Sequence, residues 1–142
     1  MRWRIPELAF IALSFLPAGA NAATVTNAWF RALPAGLPSA GYFTLANPDT
    51  KPISLTDAQS PACGMLMLHK STGGGGMSMM SDVARVDVPA GGQIKFAPGG
   101  YHLMCMDPTP AMKPGAKVPV TLIFSDKTKM DVSFGVKNAR GQ

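Results

Sequence analysis

Pro98-Gly-Gly-Tyr-His-Leu-Met-Cys-Met106 is a turn signal followed at once by a short strand. Proline and the paired glycines break the chain, and Tyr101 to Met106 then read as extended. In a strand, residues two apart share a face and lie about 6.5 Å apart along the chain. His102 and Met104 therefore point the same way, and Cys105 points the other way. The same alternation of turn signal and short run recurs on both sides. Strands are expected at Thr24 to Arg31, Gly41 to Leu45, Ile53 to Ala58, Met65 to His69, Ala84 to Val88 and Gln93 to Phe96. Beyond Met106, Pro108 to Lys117 is a proline-broken connection, and Val118 to Phe124 with Met130 to Val136 form a last hairpin. Helical periodicity is nearly absent. About nine short strands separated by turns define an all-β chain, an antiparallel two-sheet sandwich or small barrel.

The N-terminus carries a different pattern. Arg2 and Arg4 precede an apolar run from Leu8 to Leu16, and Ala20-Asn-Ala22 has the small-x-small form of a cleavage site. This is the layout of a secretory signal peptide over residues 1–22. The apolar run falls short of the roughly 20 residues that a membrane span needs, so no stable membrane insertion is expected. Residues 23–136 would form one domain and 137–142 a polar tail. A domain of about this size can bury one core unaided. Ile53, Val88, Ile94, Leu122, Phe124, Val132 and Phe134 are the core candidates, with Met65 and Met67 as core fillers.

Charge excludes one class of partner. The formal net charge is +5, but the lysines and arginines are scattered singly. No basic run is interleaved with aromatics, so nucleic acid is not an expected partner. Motifs exclude others. There is no G-x-S-x-G elbow, no H-E-x-x-H and no P-loop, and the chain is not expected to be an enzyme.

Both histidines and five of the ten methionines fall in two stretches. One is His69-Lys-Ser-Thr-Gly-Gly-Gly-Gly-Met77-Ser-Met79-Met80, and the other is the opening strand with His102, Met104 and Met106. Imidazole and thioether together describe a soft site, and thioether selects Cu(I). Hard cations would want carboxylates, and neither stretch has any. The glycines would let a loop return Met77, Met79 or Met80 toward His69. The opposing reading is that methionines are adaptable apolar fillers or a contact surface.

Cys63 and Cys105 admit two readings. In an exported protein an even count favours a disulfide. The alternative is Cys105 as a thiolate ligand beside Met104, against which strand alternation turns Cys105 away.

The spacing His69-x10-Met80-x21-His102-x-Met104 resembles the signature of the periplasmic copper chaperones called PCu(A)C. Ser39-Ala-Gly-Tyr-Phe-Thr-Leu-Ala-Asn-Pro48, Val88-Pro-Ala-Gly-Gly92 and Pro98-Gly-Gly-Tyr-His-Leu-Met104 are similar to that family too. The likeness runs from about Ala28 to Phe134. It implies a cupredoxin-like β-sandwich or barrel in the periplasm, with Cu(I) held by His69, Met80, His102 and Met104. Met77 and Met79 would be auxiliary sulfurs. It implies delivery of copper to the dinuclear centre of cytochrome c oxidase, and copper-donor and copper-acceptor proteins, subunit II or another assembly factor among the acceptors, are the expected partners of a chain expected to be a monomer. The chain departs from many members at Ser71, where a methionine is common. Its tail, Lys137-Asn-Ala-Arg-Gly-Gln142, has no His or Met for a Cu(II) site.

Two further readings compete. A blue-copper carrier needs a Cys thiolate with two His and a weak axial Met, and no His follows Cys105. Copper buffering without a dedicated client would use the same ligands as delivery.

Overall fold

The structure, a computed structural model, describes residues 22–74 and 77–142, with the side chains at 73, 74, 77 and 78 outside the description. The leader expected over residues 1–22 lies, apart from Ala22, outside the described residues. Ten strands occur among those that are described: β1 (Thr24–Arg31), β2 (Ser39–Ala46), β3 (Ile53–Gln59), β4 (Cys63–Gly74), β5 (Met77–Asp82), β6 (Val86–Val88), β7 (Gln93–Phe96), β8 (Tyr101–Pro108), β9 (Lys117–Phe124) and β10 (Lys129–Lys137). One 3-10 turn, Pro34–Gly36, follows β1.

The strands hydrogen-bond in the order β5-β4-β8-β2-β1-β10-β9-β3-β6, with β7 also paired to β2. Every pairing is antiparallel except β1 with β10. The sheet curls until β3 packs against β4. The result is a cupredoxin-like β-barrel, as the sequence leads one to expect.

One element differs. The glycine-rich stretch after His69 returns the chain toward His69 as expected, but as paired strand and not as an open loop. It is a hairpin, with β4 and β5 paired from His69↔Asp82 to Gly74↔Met77.

Inward-facing side chains fill the barrel. Phe43 stacks on Phe96 at 4.2 Å between ring centroids and meets Phe134 edge-on at 5.6 Å. Phe30 lies 5.1 Å from Phe134. Of the expected core, Val88, Leu122, Phe124 and Phe134 are buried, while Ile53, Ile94 and Val132 pack partly buried against it.

Met65 and Met67 do not belong to that core. Met65 is 57% exposed, and Met67 is half-buried. Their neighbours Leu66 and Leu68 point inward instead. Both columns of this strand are apolar, so alternation shows two faces without showing which is the inner one.

Two glycines in the β2–β8 region act through specific geometry. Gly99 has φ +85°, a left-handed backbone that starts the turn into β8. Gly41 lets β2 pass close to Phe30: a Cβ there would sit 2.6 Å from Phe30 Cε1 and 3.2 Å from Leu103 Cβ. Both neighbours are fully buried and have no room to yield. Gly41→Ala is expected to destabilise the fold by about 1–3 kcal/mol, the usual range for overpacking. A denaturant midpoint equal to that of the unaltered protein would contradict this.

Cys63 and Cys105 are bonded. The bridge joins the start of β4 to the middle of β8, and Cys105 is fully buried in the core. Cys105 is therefore no thiolate ligand.

Candidate metal centre

Strands β4, β5 and β8 form the three-stranded ladder that carries the candidate ligands. His69 pairs with His102 on one side and with Asp82 on the other. Residues directly opposite in a ladder share a face, as do residues two apart along a strand. His69, His102, Met104 and Met80 thus share one face, and Ser71 lies opposite Met80 on it. Leu103, Cys105, Leu66 and Leu68 occupy the other face and enter the core. Met104 is buried, yet it is not part of that core cluster. It sits in the ladder between Ala40 of β2 and Met67 of β4.

The two imidazoles meet edge to face with ring centroids 5.6 Å apart. Each is oriented by a neighbour on one side and bare on the other. His102 Nδ1 lies 3.2 Å from the Gly100 carbonyl, which places the proton on Nδ1 and leaves a lone pair on Nε2. That Nε2 is buried without a hydrogen-bond partner. His69 Nε2 lies 2.7 Å from Asp82 Oδ1, although the approach lacks hydrogen-bond direction. Its Nδ1 is buried and has no partner. Buried polar atoms without partners are uncommon because desolvation penalises them. Two such nitrogens on neighbouring imidazoles, beside a thioether, suit a soft cation that would satisfy them.

Burial pushes the His102 imidazole below its ordinary range. The hydrogen bond to Gly100 works in the other direction, and the neighbouring His69 adds to the lowering. His102 is therefore neutral at neutral pH, the form a metal requires. The same shift makes the protein acid-sensitive. The unfolded chain takes up a proton near pH 6.5, while folded His102 does so only at lower pH. The contribution is complete above about pH 6.5 and is lost as pH falls toward the folded value. A lower denaturant midpoint is expected at pH 5.5 than at pH 7.5, with a smaller difference in His102→Gln. Equal pH responses in the two proteins would contradict it.

The remaining sulfurs are placed by the same register. Met80 is 57% exposed on β5, an edge strand. Met79 pairs with Thr72 and so faces away from His69. The side chain of Met77 lies outside the described residues. Met65 and Met67, read from sequence as fillers, stand on the His69 face opposite Met106 and Met104. Their period-two spacing from His69 was the available signal. Among the described residues no group of three or more His, Cys, Asp or Glu side chains gathers as a metal site.

The all-β barrel and this face define a class that the comparisons specify. The LpqE-like family model, described as lipoprotein LpqE-like, matches residues 23–136. The chain belongs to that family. It is 32% identical over 123 residues to Lxx21020 of Leifsonia xyli subsp. xyli, a protein named as a lipoprotein, covering 86% of this chain and 74% of that one. The solved copper-bound PCuAC domain from PmoF2 matches with a TM-score of 0.70 at 19% identity, over 84% of this chain and 97% of that domain. At that identity the likeness is one of fold. The Cu(I) form of DR1885 from Deinococcus radiodurans matches with a TM-score of 0.64 at 30% identity, over 89% of this chain and 83% of that one. The fold is that of the PCuAC domains. Among the described residues, no helix is long and apolar enough to cross a membrane.

Proposed function

We propose that this chain is a periplasmic Cu(I) carrier that holds the ion with His69, Met80, His102 and Met104. Delivery to the dinuclear centre of cytochrome c oxidase, through subunit II or another assembly factor, is the use we assign to it. The observation that carries the reading is the pair of buried, partnerless nitrogens on His69 and His102, facing the sulfur-bearing side of one ladder. Solved relatives of this fold are named as copper-bound and Cu(I) forms, which supports the choice of ion.

The ligand set suits transfer. All four donors are neutral when bound, so release needs no thiolate to be protonated. Met80 stands exposed on an edge strand, while His102 and Met104 are buried. An acceptor would therefore displace Met80 first and take the ion stepwise from the open side. Thioethers also avoid the disulfide chemistry that disables a thiol carrier in an oxidising space, their own liability being sulfoxidation.

Asp82 serves as the outer partner of His69. Loss of such partners weakens metal binding by about 10- to 100-fold, and the exposure of Asp82 puts it at the lower end. Asp82→Asn is expected to weaken Cu(I) binding about tenfold in competition with a chromophoric chelator. An unchanged affinity would remove Asp82 from the site.

Gene deletion tests the client. Oxidase activity should fall and recover with added copper. Normal oxidase with heightened copper sensitivity would assign the chain to buffering instead.

A further inference from the structure

The ladder carries more sulfur than one ion needs. Next to the His69↔His102 pair stands Met67↔Met104, and beyond it Met65↔Met106. All lie on the face turned away from the core. Met65 is 57% exposed, and Met67 and Met106 are half-buried. As fillers these three would belong inside, but Leu66, Leu68, Leu103 and Cys105 already occupy the inner face. Directly opposite side chains start about 5 Å apart, and same-face neighbours on one strand about 6.5 Å apart. Methionine has three rotatable side-chain bonds, so three thioethers at that spacing can converge on one ion. No carboxylate shares these three ladder positions, which disfavours hard cations.

We infer that Met65, Met67 and Met106 form a second, weaker Cu(I) site, made of thioether alone and adjoining the histidine site through Met67↔Met104. The inference rests on the Cu(I) reading above and deepens it. The second site is a station beside the first, on the β4–β8 side, whereas Met80 opens toward β5. An ion would enter along one side of the face and leave along the other.

The test is an anaerobic Cu(I) titration of the protein labelled with ¹³C at the methionine methyls, with ascorbate as a reductant that keeps copper as Cu(I) and leaves the Cys63–Cys105 bond intact. The first equivalent is expected to move the Met80 and Met104 methyls. The second should move those of Met65, Met67 and Met106. The variant Met65→Leu/Met67→Leu/Met106→Leu conserves volume, a kind of change that folds tolerate. Its stoichiometry should fall from two Cu(I) to one. A protein that saturates at one equivalent overturns the second site and leaves the carrier reading intact. Second-equivalent shifts at Met77 or Met79 overturn it too, as does a triple variant that still binds two ions. If Met80 and Met104 never move, the primary ligand set fails. If Met65, Met67 and Met106 move in that case, the thioether site stands on its own.

Discussion

Replacing His102 by alanine is expected to weaken Cu(I) binding by more than about 100-fold, the upper range for loss of an outer partner alone. His102 Nε2, the donor in the proposed site, is buried and has no hydrogen-bond partner. Its orientation is preset by the Gly100 carbonyl. Alanine removes the donor and opens a void, with His69 and Met104 left around it. Met104→Ala should also weaken binding strongly, since Met104 is the buried sulfur of the set. Met79→Ala is the control, because Met79 faces away from His69 on an exposed edge strand. Competition against a chromophoric Cu(I) chelator measures all three. Equal affinities across the series would mean that the ligands have been misassigned.

The second large effect is on stability. The Cys63–Cys105 bond closes a loop with a sequence separation of 42. Chain-entropy arguments give about 4 kcal/mol for a loop of that length. For a domain of this size that corresponds to a fall in Tm of roughly 15 °C. Cys63→Ser/Cys105→Ser should show it by calorimetry. The bond also ties together β4 and β8, the strands bearing His69 and His102. Its loss should therefore weaken Cu(I) binding as well, and reducing agent should act on the unaltered protein in the same direction. A double variant that melts within a degree or two of the parent would show that the bond contributes little.

The legible parts of the sequence were those governed by one strand at a time. The alternation of His102, Leu103, Met104 and Cys105 placed two candidate ligands on one face and the cysteine on the other, and the structure has these side chains on those faces. The bounds of β7 could also be read, because turn residues lie on both sides of it, and β1 could be read because it begins just after the expected leader and ends before Pro34. What stayed hidden depends on neighbours. Glycine is depleted in strands, so the four glycines after His69 read as a loop, although the flanking residues pair as a hairpin. Only the partner strand shows that Asp82 sits beside His69. Met65 and Met67 alternate with Leu66 and Leu68, and apolar residues in both columns leave the inner face undecided until the core is seen. The parallel pairing of β1 with β10 joins strands far apart in the chain, and no local pattern announces it.

X-ray absorption on protein loaded with one equivalent of Cu(I) tests the central claim most directly. Two nitrogen and two sulfur neighbours are the predicted shell, with one nitrogen lost in His102→Ala and one sulfur lost in Met80→Leu. A shell of nitrogen and oxygen only, or one unaltered by either substitution, would contradict the account.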